Sequence, residues 1–332
     1  MLLSLFKRKP PPPPAVPMGD GGRTEALLKR LEWTVIKRLD GLLQGDHRTL
    51  MRGTGLDLAD LREYQHHDDV RHIDWNVTAR LQQPHVRVFT EDREMAAWFL
   101  LDLSPSVDFG SGPQRKRELL QGFVGVLARL LSRHGNRVGA MLYGRHAAAV
   151  DAVLPPRSGR TQVLRLMQLI GTPGEAGASG ATRLDELLRR AALSLRQRAT
   201  VFVVSDFISE PGWEQPLAAL ARRHDVVAVR LLDPLEREWP DLGLIPVRDA
   251  ETGELLLVDT HDRGFRERFA RLATERETRL RESLARAGVD ALELATDEDL
   301  FTAVRRFVDL RRQRLGRAPG AAQAVRATGG AT

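Results

Sequence analysis

The sequence predicts an α/β fold: a doubly wound, mostly parallel sheet, preceded by a helix and a polar loop and strand extension. Three observations predict it. From residue 98 onward, strand-like and helix-like stretches alternate. Two strands, Trp98–Leu101 and Thr200–Val204, are continuous apolar runs, as in strands buried on both faces. One local hairpin places an antiparallel strand at an edge of the sheet.

The chain opens with a Pro- and Gly-rich stretch, 1–22, expected to be a disordered tail. Leu28, Leu31, Val35, Leu39 and Leu42 then recur at helical spacing between Thr24 and Leu43, and Gly45 ends the pattern. Residues 50–93 mix many charges with a few large apolar side chains: Asp60, Arg62, Glu63, Asp68, Asp69, Arg71, Asp74 and Arg80 among Leu61, Tyr64, Ile73 and Trp75. This reads as an ion-pair network folded over a small core. His66, His67 and His72 lie there beside Asp68 and Asp74, but their spacing matches no metal pattern, so a salt-bridged loop is the better reading. Val86, Val88 and Thr90 alternate with His85, Arg87 and Phe89, as in a strand.

Residues 98–315 form the predicted sheet domain, after a 23–97 extension. The Trp98 strand is followed by a helix over Gln114–Arg133, with Leu119, Leu120, Phe123, Val126, Leu127 and Leu130 on one face. Val138–Tyr143 is a strand, and His146–Val153 returns beside it after Gly144. Helices follow over Gly159–Ile170 and, past a Gly-rich loop and Thr182, over Leu184–Leu195. Next come the strand Thr200–Val204, a helix over Trp213–Arg222 and the strand Asp225–Leu231. Gly243–Asp259 reads as a hairpin turned at Glu251-Thr252-Gly253. A long charged helix, Gly264–Ala287, a short strand, Ala291–Leu294, and a helix, Asp299–Arg314, complete the domain. Residues 316–332 are expected to be a second disordered tail.

Composition narrows the function classes. The 332 residues hold no cysteine, which excludes disulfides, zinc–thiolate centres and thiol catalysis and fits a reducing cytoplasm. No apolar run is long enough to span a bilayer. The opening MLLSLFKRKP places its basic residues after its apolar ones, the wrong order for a signal peptide. The net charge of +6 comes mostly from arginines interspersed with Asp and Glu, apart from Lys7–Lys9 and Arg311–Arg314. With only 5% aromatics and no basic stripe interleaved with them, the sequence argues against a dedicated nucleic-acid function.

The candidate site lies where the Trp98 strand ends. Asp102, Ser104 and Ser106 follow the apolar run on alternate residues, with Pro105 between the serines. In a doubly wound sheet, ligands collect at the carboxyl ends of the strands, at the point where the chain reverses direction across the sheet. If the Thr200 strand lies beside the Trp98 strand, Asp206 faces Asp102, and Thr182 approaches from the loop before its helix. Two carboxylates so placed repel, and at least one pKa rises. A small hard cation, Mg2+ or Mn2+, removes that conflict, with hydroxyls, water and an Asp or Glu from a partner protein completing the shell. The same residues have ordinary readings: Asp and Ser as turn and capping residues, and Thr182 as a helix N-cap with Asp185 at the third helical position.

Asp102-x-Ser104-x-Ser106, with Thr182 and Asp206 downstream, resembles the metal-ion-dependent adhesion site (MIDAS) of von Willebrand factor A domains, a Rossmann-type fold. Upstream, Gly53-x-Gly55, Leu61-Arg62-x-Tyr64, Asp68-Asp69-x-Arg71-x-Ile73-Asp74-Trp75, Ala79-Arg80 and Glu91-x-Arg93 resemble the signature of the bacterial domain of unknown function 58 family. That family is a branch of A-domain-like proteins often encoded beside MoxR-type AAA+ ATPases. The resemblance covers residues 24–310. Two positions depart from it: His67 stands where the family usually has Gly, and Val107 where it often has Met. The resemblance implies that Ser104 and Ser106 ligate the metal directly. Thr182 does so directly or through water, and Asp102 and Asp206 hold coordinating waters.

The function expected from this is a non-enzymatic, metal-dependent protein-binding module, an adaptor or chaperone-like factor whose partner is a MoxR-type AAA+ ATPase or its client. Two alternatives stand beside it. A metal-dependent hydrolase or phosphotransfer enzyme could use Asp102 as nucleophile, but position 104 is Ser where that chemistry wants a second acid or base. No Gly-x-Ser-x-Gly elbow or phosphate-binding Gly-Lys-Ser/Thr loop is present either. The other alternative is a scaffold with an empty metal site.

Overall fold

The computed structural model describes residues 20–31, 35, 60–65, 73, 75–88, 96–145, 149–172, 181–249 and 254–316. Outside them lie most of both predicted tails, the His66/His67 stretch, Gly53, Gly55, Asp68, Asp69, Arg71, Asp74, Glu91 and Arg93, the Gly-rich loop before Thr182, and the Glu251-Thr252-Gly253 turn.

Six strands make the central sheet: β3 (Ala96–Asp102), β4 (Arg137–Tyr143), β5 (Val150–Arg157), β6 (Thr200–Ser205), β7 (Asp225–Leu232) and β10 (Asp290–Ala295). Their order is β10-β7-β6-β3-β4-β5. Every pairing is parallel except β4 with β5, so the one antiparallel strand lies at an edge. The β5 strand starts later than the pattern predicts and runs on through Pro155 and Pro156 to Arg157. Proline is tolerated there because the outer side of an edge strand needs no N–H donors.

The doubly buried pattern of β3 has a direct structural cause. Phe99 and Leu101 point into one apolar layer, and Leu100 into the other. The same alternation sorts Phe202 and Val204 of β6 from Val201 and Val203. Phe99 and Phe202 are register partners, and their rings stack with centroids 5.3 Å apart.

Helices α1 (Asp20–Leu31), α3 (Lys116–Arg133), α4 (Arg160–Gly171) and α8 (Leu300–Gly316) cover one face through Leu28, Phe123, Met167 and Phe307. The other face is covered by α5 (Leu184–Ser194), α6 (Glu214–Arg223) and α7 (Arg263–Arg286), through Leu188, Leu217 and Leu284. Helix α1 begins four residues before Thr24, so residues 20–22 are helical where a disordered tail is expected. It packs close to α3 and α4 because position 125 is glycine: a Cβ there would lie 2.9 Å from Met167 Cε and 3.3 Å from Leu31 Cδ1.

Upstream of the sheet, β1 (Asp60–Glu63) and β2 (His85–Val88) pair antiparallel, and the short helix α2 (Trp75–Leu81) lies between them in sequence. The sequence places Trp75 in a small core, but it is 70% exposed. As the first residue of its helix it leans backward, away from the turns that follow. The predicted hairpin forms a separate two-stranded sheet, β8 (Leu244–Arg248) with β9 (Leu255–Asp259). Among the described residues, no helix is long and apolar enough to cross a membrane.

Candidate metal-ion site

The carboxyl ends of β3 and β6 lie side by side, with β4 beyond β3 and β7 beyond β6. The crossover from β3 to β4 runs through α3 on one face, and that from β6 to β7 through α6 on the other. Crossovers that leave to opposite faces from adjacent strands mark the switch point, the place where doubly wound sheets bind ligands. Asp102 ends β3 and is fully buried. One carboxylate oxygen accepts from the Ser104 N–H at 3.0 Å, and the other accepts from the Ser205 hydroxyl at 2.6 Å.

Pro105 starts a single 3-10 turn, Pro105–Asp108, which sets Ser104 Oγ 3.2 Å from Ser106 Oγ, both serines buried. Gly144, at the end of β4, makes room for that turn. Its φ is +86°, and a Cβ would come within 3.0 Å of Ser104 N. No other residue type fits there without strain.

Asp206 follows β6 and is 3% exposed. Its Oδ1 accepts from the Ile208 N–H at 3.0 Å. The next residue, Phe207, has φ +58° and is held in that left-handed conformation by an N–H bond to Ser205 Oγ and by its ring against Trp213. Strained backbone beside a converging set of polar groups is a common mark of a functional site. The Asp102 carboxyl is pushed up to about 6 by burial first and by the nearby Asp206 charge second. The second of these causes is the carboxylate conflict that the sequence predicts.

Thr182 lies at the same end of the sheet and is buried. Its carbonyl accepts from Ser209 Oγ and from the Glu210 N–H, each at 2.9 Å. The N–H of Arg183 is bonded to Tyr143 Oη at 2.8 Å, and Tyr143 is the register partner of Asp102. Thr182 is not the N-cap of α5. That position belongs to Arg183, whose side chain makes no capping bond, and Ser209 Oγ takes the Leu184 N–H instead. Asp185 is paired with Arg183 and Arg189.

The structure adds two residues that sequence reasoning missed. Lys116, the first residue of α3, is fully buried, and its ammonium lies 2.7 Å from Asp206 Oδ2 and 2.5 Å from Glu236 Oε1. Burial alone would lower its pKa, but the two carboxylates hold it above the ordinary lysine value. Glu236 sits in the Pro234–Glu236 turn after β7, and burial raises its pKa against the pull of Lys116. Neither residue stands in a motif, so only the topology reveals them. The one signal in the sequence is a lysine at the very start of a helix, the end where a cation is least favoured.

The residues present suit a small hard cation. Ligands on adjacent corners of an Mg2+ octahedron lie about 3 Å apart for metal–oxygen bonds of about 2.1 Å. The two serine oxygens stand close to that spacing. Asp102 already accepts a bond at each oxygen, so its remaining lone pairs suit water. Among the described residues no group of three or more His, Cys, Asp or Glu side chains could hold a metal ion. Beside it a groove of ≈ 550 Å³ runs from Asp206 and Glu236 past Trp213 to Leu272 and Arg276 of α7.

A doubly wound sheet in this strand order, with an antiparallel edge and an Asp-x-Ser-x-Ser loop at the end of a central strand, is a von Willebrand factor A-like domain. The chain belongs to the family described as protein of unknown function DUF58, whose model matches residues 60–279. It is 38% identical over 307 residues to the uncharacterized protein Rv1480 of Mycobacterium tuberculosis, covering 91% of this chain and 94% of that one. The uncharacterized protein MAV169 of Mycobacterium avium is 36% identical over 164 residues, 48% of this chain and 94% of that protein. Among solved structures, the conserved hypothetical protein BatB from Bacteroides thetaiotaomicron matches with TM-score 0.42 and 16% identity, over 66% of this chain and 99% of that one. The SpRpn10 VWA domain matches with TM-score 0.37 and 13% identity, over 64% and 94%.

Proposed function

We propose that this chain is a non-enzymatic protein-binding module whose adhesion depends on a divalent cation, Mg2+ or Mn2+. The observation that carries this reading is the Ser104–Ser106 hydroxyl pair set beside the buried Asp102 carboxylate at the carboxyl end of β3, with Asp206 at the end of the adjacent strand. Ser104 and Ser106 would hold the ion directly, Thr182 directly or through water, and Asp102 and Asp206 through water. Such a shell leaves a position for a carboxylate from outside, so an Asp or Glu on a partner is the natural sixth ligand. The groove beside Asp206 gives the flanking segment of that partner a place to lie. The family resemblance adds a MoxR-type AAA+ ATPase, or a client of one, as the partner to test first, with the chain acting as an adaptor or chaperone-like factor in the cytoplasm.

Asp102 makes a poor nucleophile. It is fully buried, and both of its oxygens already accept hydrogen bonds, which argues for a holding role over phosphoryl transfer. The experiment is Mn2+ binding followed by electron paramagnetic resonance. Wild type is expected to bind, and the double variant Ser104→Ala/Ser106→Ala to bind at least tenfold more weakly. Equal affinity in the two proteins would remove the serines from the site. Capture of the ATPase in Mg2+ but not in EDTA, by wild type but not by Asp102→Ala, is the matching result for the partner.

A further inference from the structure

Lys116 carries its charge at a helix position and a depth that do not by themselves favour one. It is the first residue of α3, at the helix end whose free N–H groups repel a cation, and no part of it reaches solvent. The Phe109 ring, 6.0 Å from Nζ, stands at the outer limit of a cation–π contact. What holds the ammonium is a pair of carboxylates delivered by two other strands, Asp206 after β6 and Glu236 after β7. Asp206 is also one of the groups assigned above to the cation. A fixed positive charge is therefore bonded to the carboxylate that a divalent ion would share.

Counting charges shows the consequence. Asp102, Asp206 and Glu236 supply three negative charges, and Lys116 returns one positive charge, so the cluster carries two net negative charges. One divalent ion neutralises it. Without the lysine the cluster would hold three, and the ion would bind far more tightly. We propose that Lys116 is a built-in counter-ion that competes with the divalent cation for Asp206 and so sets a weak, reversible metal affinity. This rests on the metal-dependent reading above.

The test is calorimetric titration of Mg2+ into the full-length wild type, Lys116→Met and Glu236→Gln at one pH and ionic strength. With net charges of two, three and one negative respectively, the affinities should rank Lys116→Met above wild type above Glu236→Gln. Each step should be tenfold or more. Thermal unfolding in EDTA should drop for Lys116→Met and be restored by Mg2+, while wild type responds less. If Lys116→Met does not fold even with Mg2+, Glu236→Gln decides alone: it keeps the Lys116–Asp206 pair, and an affinity equal to or above wild type overturns the proposal. Binding by wild type with Lys116→Met equal or weaker overturns the counter-ion role and leaves the metal site standing. Binding by Lys116→Met alone supports the counter-ion role and overturns metal binding by the native chain. No binding by any of the three proteins overturns both.

Discussion

Asp102 is held in the fold at the expense of its own charge, and that has a measurable pH signature. Its carboxyl titrates at about 6 in the folded chain against an ordinary 3.8, because it is buried and faces Asp206. Between those values the folded state binds more protons than the unfolded one, so the metal-free protein loses stability as pH rises through the window. The loss from this residue is up to about 3 kcal/mol, complete above the folded pKa. Asp102→Asn keeps the shape and removes the titration. In EDTA, its unfolding free energy should lie above that of wild type at pH 7.5, the two curves converging towards pH 4. Parallel curves in chemical denaturation would show that the carboxyl is not the cause. The same variant should gain less from Mg2+ than wild type, because a neutral amide does not balance the charge of the ion. The share of the rise that Asp206 causes is legible in the sequence, since two acids at the ends of neighbouring strands conflict. The counter-charge that Lys116 sets against Asp206 is not. Lys116 lies 90 residues from Asp206, and Glu236 lies 120 residues from Lys116. No local spacing records either pairing.

At the scale of elements, the site depends on loops staying where the strands deliver them. Asp233, at the end of β7, is the residue that ties them. Its carboxylate accepts from Ser111 N at 2.8 Å, Ser111 Oγ at 2.6 Å, Leu235 N at 3.0 Å and Thr296 Oγ1 at 2.8 Å. These bonds join the loop after β3, the turn that carries Glu236 and the end of β10. Burial would raise the Asp233 pKa, but the bonds from Ser111, Thr296 and Leu235 hold it below the ordinary value. Its stabilising effect is therefore present above pH 3.8 and is lost as pH falls through the folded pKa, the opposite sense to Asp102. Asp233→Ala strands several buried donors and should cost about 3 kcal/mol in urea unfolding. A loss below about 0.5 kcal/mol would mean that water replaces the carboxylate and that the tie is dispensable. The strands and helices so joined were readable from apolar runs and helical spacing. Asp233 was not, because an acid after a strand looks the same whether it caps a local turn or binds three loops.

The whole molecule sets a limit on how it can be divided. Composition changes near residue 98, and the sequence suggests a sheet domain that begins there, behind a polar extension. Periodicity shows α1 to be amphipathic but cannot say which surface it covers. In the structure Leu28 is fully buried and Leu31 and Val35 are each 7% exposed, all three inside the cluster that α3, α4 and α8 form on one face of the sheet. Burying three such side chains contributes roughly 5–9 kcal/mol at about 1.5–3 kcal/mol each. Domains of this size are stable by about 5–15 kcal/mol in total. A chain starting at residue 96 keeps every strand of the main sheet and all five candidate ligands, yet it uncovers the α3–α4 surface that Gly125 shapes to receive α1. Such a chain should lose cooperative thermal unfolding and bind a hydrophobic dye, while far-ultraviolet circular dichroism stays close to native. A chain starting at residue 20 should unfold as the full-length protein does. If the 96–332 chain also unfolds cooperatively at the full-length midpoint, α1 is only laid upon the core, and the site can be studied on the sheet alone.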